Sequence, residues 1–380
     1  MKYRRLGRTG LMVSEIGFGG EWLPGKTDEE AGLFFDKATA YGINILDCWM
    51  SDPEVRSLIG RSLRDRRDKW IIQGHIGPTW QNGQYVRTRD MSVVVPAFED
   101  LLKRLETDYI DLGMIHYVDT DEDWDTIING PFIEYVRDLK ARGVIRYVGA
   151  SSHNAKVAKR IIMSGEVDML MFAINPSFDL MPTKHLDDLL ASDHFVDKLA
   201  GIHPDRVELY KLCEQMDIGI TVMKPFAAGR LFKAEASPFS VAMTPIQCLH
   251  YALTRPGVAS VMTGFGEPAH IDEAVHYEEA SEEEKDFTKV LASSEYQADT
   301  HKCMYCNHCL PCPKAIDIAM VNKFYDMAVM QAHVPDTVRE HYRALTANAS
   351  DCIACGGCEK RCPFGVPVVS RMKAARELFG

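Results

Sequence analysis

The sequence lacks a long hydrophobic run. No stretch approaches the ~18 consecutive apolar residues of a membrane-spanning helix, and the N-terminus lacks the apolar core of a secretory signal. We therefore expect a cytoplasmic protein with no membrane as a partner. The sequence also lacks an excess of positive charge, since 43 Lys and Arg stand against 54 Asp and Glu, a net charge of −11. Nucleic acid is therefore not an expected partner.

The sequence shows little sign of disorder. Hydrophobic residues make up 46% of the 380 residues and charged residues 26%, the balance of a globular chain with a sizeable core. The length predicts one large domain and a smaller one. Eight of the eleven cysteines fall within residues 303–362. In a chain that is not secreted, such a concentration indicates metal binding rather than disulfides.

From residue 14 to about residue 280, short apolar runs alternate with longer amphipathic segments. This alternation is typical of βα units, and helical connections predict a parallel sheet. Eight strands suggest a closed barrel, so we predict an α/β fold, a (β/α)8 TIM barrel over residues 1–280. The predicted strands are Glu15–Phe18, Ile43–Asp47, Trp70–Gln73, Tyr109–Ile115, Ile145–Gly149, Val167–Phe172, Gly219–Met223 and Ala259–Met262.

Polar side chains stand where the predicted strands end, and the active site of a TIM barrel lies at the carboxyl ends of its strands. We predict a catalytic group of two carboxylates and two histidines at this mouth. Its members are Asp47, Asp52, His75 and His116. They serve acid–base chemistry, or they hold a divalent metal, since histidines with carboxylates suit a borderline metal.

Residues 1 to about 280 resemble the aldo/keto reductase family. The resemblance rests on RRLGRTGLMVSEIGFGG at the start, ILD at 45–47, DYIDLGMIH at 108–116, IRYVGASSHN at 145–154 and MKPFAAGRL at 223–231. Members carry a catalytic Asp, a Tyr five residues later, a Lys ending the third strand and a His ending the fourth. The resemblance places the Asp at Asp47 and the His at His116.

The other two family positions differ in this sequence, because Asp52 stands at the Tyr position and His75 at the Lys position. The family Tyr is the general acid that protonates a carbonyl oxygen. The resemblance therefore implies that ordinary aldehyde reduction is impaired, and that Asp52 or His75 supplies the proton instead.

The resemblance also implies part of a nicotinamide site. GASSHN at 149–154 resembles the carboxamide-binding region, and TGFGEPAHIDEA at 263–274 begins like the phosphate-binding turn. That turn lacks the Arg and Lys that hold a 2′-phosphate, so NAD(H) is favoured over NADP(H), and the absence of either stays open. The candidate cofactor contacts are Ser151, Ser152, Asn175, Lys224, Arg230 and Gly264.

The strongest motif lies in the cysteine tail, residues 303–380. Two runs read C-x2-C-x2-C-x2-CP and C-x2-C-x2-C-x3-CP. This spacing is the signature of two [4Fe-4S] clusters, each of which needs four thiolates. Two zinc sites are the alternative, since paired C-x2-C elements also bind zinc. The predicted ligands are Cys303, Cys306, Cys309 and Cys312 in the first run and Cys352, Cys355, Cys358 and Cys362 in the second.

The cysteine tail resembles an α-helical, two-cluster ferredoxin, and residues 281–302 are predicted to link it to the barrel. The resemblance implies that the fourth cysteine of each run ligates the cluster of the other run, so that Cys362 completes the first cluster and Cys312 the second. A tail of this kind is known on a subset of the aldo/keto reductase family, so the two resemblances agree.

Together the two regions predict an iron–sulfur oxidoreductase. Its barrel mouth acts on a small substrate with a carbonyl or hydroxyl group, and its two clusters exchange electrons with the mouth and with a redox partner such as a ferredoxin or flavoprotein. One alternative is a lyase, isomerase or hydrolase whose clusters are structural. Another is an electron carrier whose barrel only docks partners.

Overall fold

A computed structural model of the chain describes residues 1–180, 202–237, 239–291, 303, 309–329, 334, 336–362 and 365–380. The strands within these residues are Tyr3–Arg5 (β1), Met12–Ser14 (β2), Ile16–Gly19 (β3), Ile45–Cys48 (β4), Ile71–Ile76 (β5), Pro78–Gln81 (β6), Gln84–Arg87 (β7), Ile110–Ile115 (β8), Ile145–Ser152 (β9), Met169–Ala173 (β10), Gly219–Met223 (β11) and Val258–Gly264 (β12).

Eight parallel strands close into a barrel in the order β10, β11, β12, β3, β4, β5, β8, β9. The predicted TIM barrel is confirmed, with strand ends that differ from the predicted ones by up to three residues. At the mouth, β5 and β9 each continue three residues past the predicted end, and in β5 His75 pairs with Met114 of β8. His75 is therefore part of the sheet, and its buried side chain faces other strand ends rather than a loop.

Two antiparallel hairpins extend the barrel beyond the predicted strands. The pair β1–β2 lies at the N-terminal end of the barrel, where Gly7 packs directly against Gly219 at the start of β11. The pair β6–β7 follows β5 at the opposite end, the mouth. Its turn is Asn82–Gly83, and both residues have positive φ, 52° and 77°. Asn-Gly favours this turn because both residues tolerate a left-handed backbone.

Helices surround the barrel and begin at polar caps. Thr27 accepts a hydrogen bond from the Glu30 N–H while the Glu30 side chain accepts one from the Thr27 N–H, a capping box that fixes the first helix start. Among the described residues, the α-helices of the barrel are Asp28–Ala40, Pro53–Leu63, Met91–Arg104, Asp121–Ile128, Pro131–Ala141, Ala155–Met163, Pro176–Asp179, Pro204–Gln215, Pro245–Leu253 and Ala269–Val275. Among the described residues, no helix is long and apolar enough to cross a membrane.

The cysteine tail is helical, as predicted. Tyr342 stacks on Phe379 with ring centroids 4.0 Å apart, and Arg371 donates to Asn322 and Asp326, which ties the last helix to the first long helix of the tail. The α-helices after the barrel are Glu282–Lys285, Thr288–Leu291, Ile318–Val329, Asp336–Arg343, Gly357–Arg361 and Val368–Phe379. The linker predicted at 281–302 is described only as far as residue 291.

The cysteine tail packs against the N-terminal end of the barrel. Lys323 Nζ lies 3.3 Å from Glu214 Oε2, and the Gln215 side-chain amide donates to the Met327 carbonyl at 3.2 Å. Glu214 and Gln215 end the helix that leads into β11, so they mark the end of the barrel where the strands begin. The cysteine tail and the mouth therefore lie at opposite ends of the barrel.

Candidate active site and cluster sites

A continuous hydrogen-bonded chain crosses the barrel mouth. His75 Nε2 lies 2.9 Å from Asp47 Oδ1, and His75 Nδ1 lies 2.8 Å from His116 Nδ1. His116 Nε2 in turn lies 2.8 Å from the Tyr85 hydroxyl. Asp47, His75 and His116 are buried, whereas Tyr85 is 38% exposed. The chain thus runs from the barrel interior to the solvent side of the mouth, and Tyr85 is its outer end.

The inner end of this chain is held by two further buried side chains. The Gln73 amide donates to Asp47 Oδ1 at 3.0 Å, and the Thr221 hydroxyl donates to Gln73 Oε1 at 2.8 Å. Both residues are fully buried. Because buried polar groups that are fully hydrogen-bonded hold a fixed orientation, Asp47 presents one defined oxygen to His75.

With Asp47 ionised, one arrangement of protons satisfies every contact of the chain and leaves one proton on each imidazole. An ionised Asp47 only accepts, so His75 carries its proton on Nε2 and accepts at Nδ1. His116 then carries its proton on Nδ1 and accepts at Nε2, and the Tyr85 hydroxyl donates to it. We assign these tautomers from the contacts. Every donor points inward, from Tyr85 towards Asp47.

The environment keeps the two outer groups of the chain neutral. Burial, together with the neighbouring His75 and the guanidinium groups of Arg89 and Arg87, lowers the pKa of His116 well below its usual value. Burial raises the pKa of Tyr85. Trp49 stacks on His116 with parallel rings 6.0 Å apart and meets Tyr85 edge-on at 5.6 Å. The indole therefore forms one apolar wall of the mouth.

Tyr85 was not predicted from the sequence, because it lies in the β6–β7 hairpin rather than at a barrel strand end. The hairpin is anchored beside His116. Arg89, just after the hairpin, donates to the His116 carbonyl at 2.8 Å and pairs with Asp123 at 2.7 Å. The signal that could have found it is Asn82–Gly83, since Asn-Gly between two short strand-like runs predicts a hairpin.

Asp52 does not join the chain, in contrast to its predicted place in the catalytic group. Its Oδ1 accepts from the Glu54 N–H at 2.9 Å and the Val55 N–H at 3.4 Å, which makes it the N-cap of the helix Pro53–Leu63. Aspartate directly before a proline-led helix is a strong capping signal. The carboxylate that was predicted to replace the family Tyr therefore stabilises a helix start.

Three of the predicted cofactor contacts are engaged in hydrogen bonds within the barrel. Ser151 Oγ accepts from the Tyr117 N–H at 2.8 Å, and Ser152 Oγ donates to Asp119 at 3.1 Å. The Asn175 amide donates to the Lys224 carbonyl at 2.8 Å, and its oxygen accepts from the Phe178 N–H at 2.9 Å. All three side chains are buried. Their polar atoms hold the ends of neighbouring strands together.

The remaining candidate contacts lie on another side of the mouth, beside a residue that the sequence analysis missed. Glu21, in the 3-10 helix that follows β3, has its carboxylate against Gly264. Although Glu21 is exposed as a whole residue, the protein atoms packed around its carboxylate raise its pKa to about 7, with Asp47 adding to the shift and Lys224 opposing it. Lys224 is half-buried, and this burial lowers its pKa. Arg230 lies in the 3-10 helix Ala227–Phe232, which follows β11.

A divalent metal at the mouth was a further expectation from the sequence. Within the described residues, no group of three or more His, Cys, Asp and Glu side chains is arranged to hold a metal ion. At the mouth, His75 uses both ring nitrogens in the hydrogen-bonded chain, and so does His116. Neither imidazole offers a nitrogen to a metal without breaking that chain.

Four of the tail cysteines line one small cavity. They are Cys312 of the first run and Cys352, Cys355 and Cys358 of the second. The cavity wall is otherwise largely apolar, with Ile316 and Met372 among its side chains. The Ala354 N–H points at Cys352 Sγ over 3.4 Å. A [4Fe-4S] cluster takes one thiolate on each iron and hydrogen bonds from backbone amides to sulfur, so these four thiols and this N–H supply the groups that such a cluster needs.

The two cysteine runs are also tied together directly. The Arg361 guanidinium donates to the Cys309 carbonyl at 2.6 Å and to the Pro311 carbonyl at 2.8 Å. Arg361 is next to Cys362, the residue assigned by resemblance to the first cluster. Cys303, Cys309 and Cys362 belong to the described residues, whereas Cys306 lies outside them.

Two family models match the chain. The model of the aldo/keto reductase family matches residues 15–244, and that of the 4Fe-4S dicluster domain matches residues 302–367. The second match supports iron–sulfur clusters over zinc in the cysteine tail.

Similar proteins cover nearly all of the barrel. The uncharacterized oxidoreductase YqkF of Bacillus subtilis is 29% identical over 306 residues, 77% of this chain and 96% of YqkF. The solved holo form of aldo-keto reductase AKR11C1 from Bacillus halodurans is 25% identical with a TM-score of 0.61, over 78% of this chain and 97% of that one. The solved putative aldo-keto reductase PA4992 of Pseudomonas aeruginosa is 25% identical with a TM-score of 0.56, over 72% of this chain and 93% of that one. The chain therefore belongs to the aldo/keto reductase family of oxidoreductases, and beyond its barrel it carries a 4Fe-4S dicluster domain.

Proposed function

We propose that the protein interconverts a hydroxyl and a carbonyl group on a small polar substrate bound at the barrel mouth, and that Tyr85 is the residue that exchanges a proton with the substrate oxygen. The observation that carries this proposal is the chain Tyr85–His116–His75–Asp47. In this chain the hydroxyl that the family Tyr provides comes from the β6–β7 hairpin instead of the loop after β4.

The chain moves a proton without charging either imidazole. As Tyr85 takes the proton of a substrate hydroxyl, its own proton passes to His116 Nε2. His116 then gives its Nδ1 proton to His75, and His75 gives its Nε2 proton to Asp47. Each imidazole gains one proton and loses one, so both stay neutral, in keeping with the lowered pKa of His116. The reverse sequence protonates a carbonyl oxygen.

Oxidation of the hydroxyl releases two protons and two electrons: the hydroxyl proton enters the chain at Tyr85, and the carbon-bound hydrogen leaves as a proton to solvent at the mouth. Two [4Fe-4S] clusters held by the tail cysteines would accept the two electrons, one electron each, and would supply them in the reverse direction. The crossed ligand assignment, with Cys312 beside Cys352, Cys355 and Cys358, is part of the proposal and is supported by the cavity that these residues line. A redox partner such as a ferredoxin or flavoprotein would then exchange electrons at the tail.

The position of the cysteine tail favours a second candidate function. The five residues of β11 span about 17 Å at about 3.3 Å per residue, and the tail packs beyond the first of them. Electrons would therefore have to cross the length of the barrel to reach the mouth. A non-redox isomerase or lyase that uses the same proton chain, with structural clusters, needs no such passage.

An anaerobic screen separates the two candidates. The holoprotein is mixed with small polyols, hydroxy acids, aldehydes and ketones, with an oxidised or a reduced viologen dye as the electron partner. We expect turnover of one compound to change the dye colour and the cluster absorbance near roughly 400 nm. Product formed with neither change would support the non-redox candidate instead.

The role of Tyr85 is tested on the compound that the screen identifies. Tyr85→Phe should lower kcat by ~10²- to 10⁴-fold, the usual contribution of general acid–base catalysis, with unchanged iron content. Tyr135→Phe is the matched control, because Tyr135 lies on the helix Pro131–Ala141 and packs edge-on against Phe98. Near-normal turnover by Tyr85→Phe would refute the proposed role.

A further inference from the structure

The loops after barrel strands seven and eight are where a TIM barrel most often binds phosphate. In this barrel those strands are β11 and β12. A nicotinamide dinucleotide has a pyrophosphate, and its binding there requires open space above the strand ends with basic groups or backbone N–H groups that face it.

The side chains of Glu21 and Trp22 lie over the end of β12, although both residues are exposed and Trp22 is 57% exposed. Gly264 ends β12 and lies in register with Gly19, the end of β3. A Cβ atom on Gly264 would lie 2.6 Å from Glu21 Oε1, and the other carboxylate oxygen of Glu21 lies against Gly19. The Trp22 indole nitrogen also lies against Gly264. A carboxylate and an indole thus cover the pair of glycines.

The loop after β12 is acidic, and the basic candidates Lys224 and Arg230 lie on the loop after β11. Between Gly264 and Val275 there is no Lys or Arg, while Glu267, Asp272 and Glu273 are all acidic. The Lys224 ammonium faces the negative charges of Glu21 and Asp119. A pyrophosphate would have to displace the Glu21 side chain before it could use that ammonium.

The side chains that would hold the carboxamide are engaged as well. Ser151, Ser152 and Asn175 are buried and hydrogen-bonded to neighbouring loop and strand ends. Ser151 is 3% exposed and Ser152 and Asn175 are 0% exposed, so the hydrogen-bonding capacity that these side chains have left does not face the open mouth. The residues of this mouth therefore do not fit a nicotinamide dinucleotide.

We propose that the barrel mouth excludes NAD(H) and NADP(H), and that the Glu21 carboxylate, held over Gly19 and Gly264, is the main barrier. If the barrel carries out the redox reaction of the proposed function, its electrons then come from a source other than a nicotinamide. The inference does not rest on Tyr85, because the proton chain lies on the β4, β5 and β8 side of the mouth.

Binding of the nucleotides to the anaerobic holoprotein tests the proposal. Ultrafiltration with NADH and with NADPH should give a Kd weaker than about 1 mM for the unaltered protein. Glu21→Gln keeps the shape of the side chain and removes its charge, and Glu21→Ala also opens the space. We expect at least one variant to bind tenfold or more tightly. Asp65→Asn, an equal charge change on an exposed turn, is the control and should leave binding weak.

Iron content and the circular dichroism spectrum show that each variant is folded. A micromolar Kd for either nucleotide in the unaltered protein would overturn the proposal. Equally weak binding by both Glu21 variants would overturn the role of Glu21 as the barrier. Neither result affects the Tyr85→Phe experiment, so failure of this inference is distinguishable from failure of the proposed function.

Discussion

The barrel mouth and the cysteine tail hold their chemical groups in opposite ways. In the tail, each cysteine run places four thiols within about ten residues, so the local spacing already indicates the ligand. At the mouth, the proton chain joins Asp47, His75, Tyr85 and His116 from three different strands and the end of a fourth. The comparison shows that a local motif can be read from spacing, whereas a site built across a barrel depends on which side chains the fold brings together.

The largest expected effect concerns the cysteine tail and tests which cysteines ligate which cluster. Cys312→Ser should remove the fourth ligand of the second cluster, so the iron content should fall from about eight to about four atoms per chain. Cys48→Ala is the control, because Cys48 is buried at the end of β4, at the mouth and away from the cysteine tail. Iron and acid-labile sulfide analysis of anaerobic protein measures the difference. Full iron content in Cys312→Ser would contradict the crossed assignment.

The next effect tests whether the mouth residues act as one unit. His75→Ala and His116→Ala should each abolish turnover of the substrate identified by the screen, and the double variant should be no worse than either single one. The reason is that one gap interrupts the whole proton chain. Cluster content should stay unchanged, because the clusters lie at the other end of the barrel.

The alternative outcome for these variants is a graded one. If His75→Ala keeps near-normal turnover while His116→Ala is inactive, the chain ends at His116, and Asp47 and His75 only support its position. A double-variant cycle with Asp47→Asn measures the coupling directly, since the Asn oxygen still accepts from His75 but cannot take up its proton.

A smaller effect concerns the dependence of stability on pH. Burial lowers the pKa of His116, and burial lowers the pKa of His250 to about 3, whereas both titrate near 6.5 in the unfolded chain. Below about pH 6.5 the unfolded chain therefore binds more protons than the folded one. The two neutral imidazoles therefore contribute fully to the free energy of unfolding above that pH. As the pH drops, this contribution falls by about 1.4 kcal/mol per pH unit for each residue.

The apparent Tm between about pH 7.5 and about pH 5.5 measures this slope. His250→Gln should reduce the slope, because one of the two buried imidazoles is gone and the mouth is untouched. His270→Gln is the control, since His270 is 42% exposed at its side chain. A slope in His250→Gln equal to that of the unaltered protein would show that His250 is protonated without cost in the fold.

The smallest expected effect concerns Asp52 and tests whether this residue caps a helix or acts as a catalytic acid. Asn caps a helix about as well as Asp, so Asp52→Asn should keep both stability and turnover. Asp52→Ala should cost about 1 kcal/mol of stability through the lost cap, with turnover still intact. Denaturant unfolding and kinetic assays on the same preparations decide the matter. If Asp52→Asn stays stable but loses turnover, Asp52 is the acid that the sequence predicted.

The sequence could predict the barrel because each strand and helix has its own periodicity, and β11 was predicted with both of its ends correct. It could also predict that Asp47 and His116 lie at the mouth, since parallel strands end at one rim. It could not show that Asp52 is used by the helix after it. The same carboxylate can cap a helix or serve as a catalytic acid. Only the hydrogen bonds from the Glu54 and Val55 N–H groups show that it caps the helix.

By itself the sequence determined the fold class, the family and the two cysteine runs, because these depend on periodicity and on spacing along the chain. Tertiary structure alone decided that the β6–β7 hairpin brings Tyr85 to His116, and that Glu21 covers Gly264. It also placed the cysteine tail at the far end of the barrel from the mouth. The physical reason is that hydrogen bonds, charge and steric exclusion act over a few ångströms in space, whereas Tyr85 and His116 stand 31 residues apart in the chain.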